Sequence, residues 1–188
     1  MANSNPQFTF ETQQMTKTEF LRGALARLQD DVGTILDLIV DHNSKNPRPI
    51  GFWPSVRMLM PIVESIGRVV DEEPWEFLEN HLDVTTPNLA WQMFRHSLTH
   101  GDLMHHAELQ GERVSWGIHL DGNRHIIKSG QLDLDMKYLY EKLVEYLQTE
   151  IAKNDQTIVS VPVGVIYQNP EPYIIDDFNK LKIEGVGN

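Results

Sequence analysis

In TTPNLAWQMFRHSLTHG, residues 85–101, one helix is legible from its first residue to its last. Thr86 stands where an N-cap belongs, Pro87 at the first helical position, where a missing N–H costs nothing, and Gly101 just past the end. On a wheel advancing about 100° per residue with Arg95 at zero, Thr99 falls at about 40°, Gln92 at about 60°, His96 at about 100° and His100 at about 140°. Ala90, Trp91, Met93, Phe94, Ser97 and Leu98 fill the other side, from about 160° to about 320°. A core face and a polar face therefore meet at a sharp border, and the groups able to do chemistry lie on the polar one. Arg95 and His100 sit at its two edges, about 7.5 Å apart along the axis, so they converge only on something lying across the face. A phosphate fits that description: guanidinium offers a charged fork to its oxygens, and imidazole moves a proton near neutral pH.

Outward from this helix, the first hundred residues read as helical. Thr16 and Glu19 have capping-box spacing at the start of TKTEFLRGALARLQDDVGTILDLIVDHN, residues 16–43. Leu21, Leu25, Leu28, Val32, Ile35, Leu36 and Ile39 recur every three or four residues, which predicts one long amphipathic helix. The prolines of NSKNPRPIG end it. FWPSVRMLMPIVESIGRVV, residues 52–70, has helical spacing but Pro61 in its interior, so a kink or two short helices are expected. DEEPWEFLENHL follows as a short helix with Pro74 in its first turn. Beyond residue 110 the period changes to two: Val114, Trp116 and Ile118 alternate with polar residues, and DGN at 121–123 predicts a β-hairpin near 113–129. Leu139, Leu143, Leu147 and Ile151 mark a last helix, and the tail from 154 reads as irregular, with one β-prone run held at an edge or in a loop by its prolines.

The bulk numbers narrow the function classes. At 188 residues and 40% hydrophobic the chain has the length for one domain with a real core. A formal charge of -11 repels polyanions, so any nucleic-acid role has to rest on a local patch, for which Arg57, Arg68, Arg95 and Lys45 are the candidates. The absence of cysteine removes disulfides, thiolate metal sites and cysteine nucleophiles, and fits a reducing cytoplasm. The polar start MANSNPQFTFETQQM lacks the marks of a secretory signal, and no apolar run approaches membrane-spanning length, so a cytoplasmic protein without membrane partners is expected.

The six residues RHSLTH, Arg95 to His100, resemble the signature of the HEPN superfamily: arginine, a polar residue, three more residues and a histidine, here followed by a glycine. The upstream FWPSVRMLMPIVESIG also looks like the helix before the motif in some HEPN-like proteins. The likeness in helical order covers roughly residues 16–153, and its sharp part is the hexapeptide. The resemblance implies a mainly α fold, a HEPN-like antiparallel helical bundle. A polar lead over 1–15, the small hairpin and the C-terminal extension over 154–188 are expected in addition to it. It also implies a homodimer with motif helices facing one another, RNA as a partner, a cognate antitoxin or other protein partner, and no cofactor. Carried over residue by residue, Arg95 binds phosphate and transition-state charge, and His100 transfers a proton as a ribose 2′-hydroxyl attacks the adjacent phosphate. His96 takes the polar slot, which is more often asparagine, and Gln92, Thr99, Arg57 and Arg68 would line the substrate cleft.

Two other readings stay open. A non-catalytic RNA- or nucleotide-binding or protein-interaction module would share the fold, and members of the family that have lost activity do so. A metal site would use His96 and His100, four apart on one face, with His105, His106, Asp102 or Glu108 completing the shell, but it lacks the glutamate of a zincin helix. His42, His81, His119 and His125 read as surface or strand residues, and the four tryptophans as core or interface mass.

Overall fold

The computed structural model describes residues 8–100, 106–123, 126–128, 131–168 and 170–184. The chain divides into two compact units, one of residues 16–157 and one of residues 1–15 with 158–188. Helices predominate in the larger unit.

Its first helix begins as its sequence dictates. Thr16 and Glu19 form a complete capping box at the start of α1 (Lys17–Arg27). The helical path continues to Lys45, but not as one regular helix: a π-helical stretch, Leu28–Gly33, separates α1 from α2 (Thr34–Lys45). The buried hydrophobic side chains from Ala24 to Leu36 are Ala24, Leu28, Val32 and Leu36, a strict spacing of four. A spacing of four drifts by about 40° per step on an α-helix, and the wider π turn takes up that drift and keeps the row on one face. Ile35, placed on the apolar face by periodicity alone, is exposed as a result.

The next helix, α3 (Phe52–Val70), runs through Pro61 as one element rather than two short ones. Val56, Leu59, Met60, Val63 and Ile66 form its buried face, while Pro61, which has no N–H to give the helix, and Arg57 one turn before it are both exposed. The proline thus sits on the solvent side of the helix, where its missing N–H disturbs no core packing. In α4 (Pro74–Leu82), Pro74 occupies the first turn and Glu73 forms a capping box with Glu76. The motif helix is α5 (Pro87–His100), and the Ala90 N–H bonds to the Thr86 carbonyl at 3.0 Å. Side-chain capping by Thr86 is not realised, because its buried hydroxyl has no hydrogen-bond partner among the described residues. Gly101 lies outside the described residues.

The β addition is larger than a hairpin. It is a mixed four-stranded sheet in the order β2 (His106–Leu109), β3 (Glu112–His119), β5 (Gln131–Asp135), β4 (Ile126–Lys128). The tight turn is at Gln110–Gly111, both at positive φ, and joins antiparallel β2 and β3. DGN does not close a hairpin between β3 and β4, because β5 lies between them, parallel to β3 and antiparallel to β4. Instead the Asp121 and Asn123 N–H groups donate to Asp135 Oδ2 at 3.0 and 3.1 Å. Asp135 Oδ1 accepts from the Tyr138 N–H at 3.0 Å and so caps α6 (Met136–Ala152) as well. Leu139, Leu143 and Leu147 of α6 are fully buried, and α6 packs on α1, α3 and α4.

In the smaller unit, β1 (Phe8–Thr16) and β6 (Ile158–Tyr167) form a two-stranded sheet. Pro162 lies within β6, which a two-stranded sheet allows because each strand keeps an unpaired edge. The tail is not irregular throughout, since Pro172 opens a further helix, α7 (Pro172–Glu184).

Candidate functional site

The polar face of α5 is uncovered where it is described. Gln92 and Arg95 are exposed, as is Asn88 one turn earlier, while Ala90, Trp91, Met93 and Phe94 are buried against α3 and α4. His96, Thr99 and His100 continue α5 as helical backbone, and their side chains lie outside the described residues.

Two concavities flank this helix. The first, of about 380 Å³, is walled by the C-terminal half of α3, the α3–α4 junction and the Trp91–Arg95 edge of α5. It brings Arg95 and Arg68 to one cleft, together with Glu64, Asp71, Glu72, Glu73 and Glu76. Arg68 is already engaged, its Nη2 lying 2.5 Å from Glu64 Oε1 one turn away on α3. Glu72 is likewise tied, its Oε1 lying 3.0 Å from His81 Nε2. His81 in turn packs with Phe77 and Tyr146 in a cluster of three rings, its centroid 4.9 and 4.5 Å from theirs at a tilt of 49° and theirs 4.9 Å apart edge to face, which braces α4 against α6. Burial, with Glu150 and Glu72 nearby, pushes the Tyr146 hydroxyl well above its ordinary range, so that ring stays neutral.

Two guanidinium groups thus face five carboxylates. Each carboxylate brought to about 4 Å from a phosphate charge costs roughly 1 kcal/mol in water and roughly 4 kcal/mol near a protein surface. The excess of negative groups outweighs the two arginines, and the cleft disfavours a polyanion while it suits a cation. Arg57 does not join it: eleven residues before Arg68, it lies about 16 Å back along α3. Nor does Lys45, which is paired with Asp41 at 2.6 Å on α2. The four cations considered as a basic rim therefore resolve into Arg68 and Arg95 together, with Arg57 and Lys45 elsewhere.

The second concavity, of about 480 Å³, lies between Leu89 of α5 and the β2–β3 hairpin. Leu89 falls at about 120° on the wheel, in the stripe shared by positions 96 and 100, about two turns toward the helix start. Its walls include Leu109, which is 76% exposed, with Glu108 and Glu112 as the charged groups. The hairpin thus borders α5 at Leu89 and brings two carboxylates to that concavity. Arg113 on this hairpin donates through Nη2 to His106 Nδ1 at 2.9 Å. Among the described residues no group of three His, Asp or Glu side chains is arranged to hold a metal ion. No helix among them is long and apolar enough to cross a membrane.

One pairing was not anticipated from sequence. His119, grouped there with ordinary strand residues, has its Nε2 3.3 Å from Oδ1 of the buried Asp133 and lines a third cavity. The available signal was a pair of period-two patterns, Gly117-x-His119 and Asp133-x-Asp135, which becomes informative once the two strands are known to pair.

In comparisons with family models, curated proteins and solved structures, the chain has no significant match.

Proposed function

We propose that this chain is a HEPN-like interaction module without turnover, whose Arg95 cleft between α3, α4 and α5 receives a positively charged segment of a protein partner. The family part of the reading rests on the RHSLTH hexapeptide. The choice of occupant rests on one observation, the five carboxylates set around Arg95 and Arg68. In this reading the two arginines act as selectivity elements: they hold neighbouring carboxylates in place through pairs such as Arg68–Glu64, and they leave a net negative cleft for lysine or arginine side chains. Trp75, half-buried at this cleft, supplies aromatic surface against which a cationic side chain packs favourably.

A second reading is a metal-independent endoribonuclease, and the exposure of Arg95 and Gln92 on the uncovered flank of α5 favours it. Arg95 would hold the scissile phosphate, and His100 would take the proton of the 2′-hydroxyl as it attacks and the 5′-oxygen leaves. His96 would orient the substrate, and a second copy of the chain would complete the groove and bring the divergent edges of the helix onto one anion.

The two are separated by offering the protein an octalysine peptide and a single-stranded RNA 20-mer in EDTA at physiological salt. The interaction module binds the peptide and leaves the RNA intact. RNA cleavage that disappears in both Arg95→Ala and His100→Ala, with folding preserved, would establish the nuclease instead.

A further inference from the structure

The geometry points to a small-molecule site beside the start of α3, where His119, placed against Asp133, accepts a hydrogen bond from a hydroxyl or amine carried on an apolar body. The cavity is about 490 Å³, within the size range of roughly 300 to 1,000 Å³ usual for ligand pockets. It lies between the end of α2, the linker into α3 and the end of β3.

Its chemistry follows from how the histidine is fixed. Asp133 is 5% exposed and stands across the parallel ladder from Gly117. A Cβ on residue 117 would lie 2.4 Å from Asp133 Oδ1 and 3.3 Å from His119 Nε2, so the carboxylate and imidazole meet in space that only glycine leaves open. Asp133 Oδ1 stands 3.3 Å from Nε2 and can only accept, so a ring hydrogen on Nε2 faces it, and in that tautomer Nδ1 is the acceptor the ring offers to a ligand. His119 remains 45% exposed at the cavity, and Nδ1 has no hydrogen-bond partner among the described residues.

The wall opposite is built rather than adventitious. Asn43 donates through Nδ2 to the Ile50 carbonyl at 3.0 Å and accepts the Ile50 N–H at 2.8 Å, which pins the linker back onto α2. Val40, Pro49 and Phe52 then present apolar surface to the cavity. Among the described lining residues there is no lysine or arginine, and Asp121 adds a carboxylate. That combination excludes anions and suits a neutral alcohol or, better, a primary amine beside a compact hydrophobic group.

Three probes of one ring size test this: benzyl alcohol, benzylamine and benzoate, titrated into the full chain with the imidazole nitrogens followed by ¹⁵N NMR. The expected result is a saturable shift of His119 Nδ1, distinct from the other histidines, with benzylamine binding several-fold tighter than benzyl alcohol and benzoate not binding. His119→Ala should weaken both by roughly five- to tenfold. Asp121→Asn, at an exposed position, should bring the amine to the affinity of the alcohol. Asp133 is a positioning residue, and Asp133→Leu, which leaves no acceptor beside Nε2, should change the ¹⁵N shifts of the His119 ring in the free protein and weaken binding of both the alcohol and the amine. If His119→Ala or Asp133→Leu fails to fold, the wild-type titration and Asp121→Asn still decide. Absence of a saturable His119 shift with either the alcohol or the amine, or benzoate binding as well as benzylamine, overturns the proposal.

Discussion

Gly117 on β3 and Asp133 on β5 face one another across a parallel pair, and the missing side chain of the first is the space occupied by the carboxylate of the second. The backbone at 117 is not in the left-handed region, so alanine is barred there by the neighbour and not by φ. Gly117→Ala should therefore destabilise the chain by about 1–3 kcal/mol in urea denaturation, the usual cost of overpacking a filled site. Combining it with Asp133→Ala should cost less than the sum of the two single changes, and strict additivity would show that the residues do not compete for this space.

Pro61 interrupts the hydrogen bonding of α3 on its solvent side without packing into the core. Pro61→Ala should supply the helix with the N–H that proline lacks and relieve its ring's crowding of the preceding turn, stabilising the chain by about 1–3 kcal/mol, read as a higher urea midpoint at unchanged slope. A lower midpoint would mean that the proline shapes the helix in a way the core depends on.

Two carboxylates fasten the start of α1 and the end of α6. The Thr16 N–H and then its hydroxyl hold the Glu19 carboxyl below its ordinary range, with Glu19 Oε2 2.8 and 2.9 Å from them. The Thr157 hydroxyl and N–H do the same for Asp155, with Lys17 adding to the effect. Because both groups titrate lower in the folded chain than in the unfolded one, their contribution is complete above the ordinary carboxyl range, about pH 4, and is lost as pH falls through the folded values. Thermal unfolding should thus shift downward on acidification below about pH 4. The double variant Glu19→Gln, Asp155→Asn should show a shallower fall over that interval, and an unchanged profile would remove these groups from the acid response.

What was legible in the sequence was local. The capping box at Thr16 and Glu19, the prolines opening α4 and α5, and the buried and exposed sides of α5 from Ala90 to Arg95 all depend on residues a turn or less apart. The sheet order was not, because β5 enters between β3 and β4, and the turn signal DGN is consumed by the Asp135 side chain twelve to fourteen residues on. The π-helical stretch was hidden for a related reason: a row of fours from Ala24 to Leu36 also satisfies the ordinary α pattern, and it takes packing to show which turn widens. At the candidate site, the sequence put Arg95 on the exposed flank of its helix, yet the carboxylates around it come from α3, α4 and their junction, so its electrostatic setting follows from tertiary structure.

The most direct measurement is a calorimetric titration of octalysine into the wild-type chain and into a Glu64→Gln, Asp71→Asn variant, both at physiological salt. Both changes keep the side-chain shapes, and asparagine tolerates the left-handed conformation seen at Asp71, where φ is 62°. The account predicts one saturable site in the wild type and an affinity several-fold weaker in the variant. Equal affinities in the two proteins, or a single-stranded RNA 20-mer displacing the peptide from this site, would contradict it.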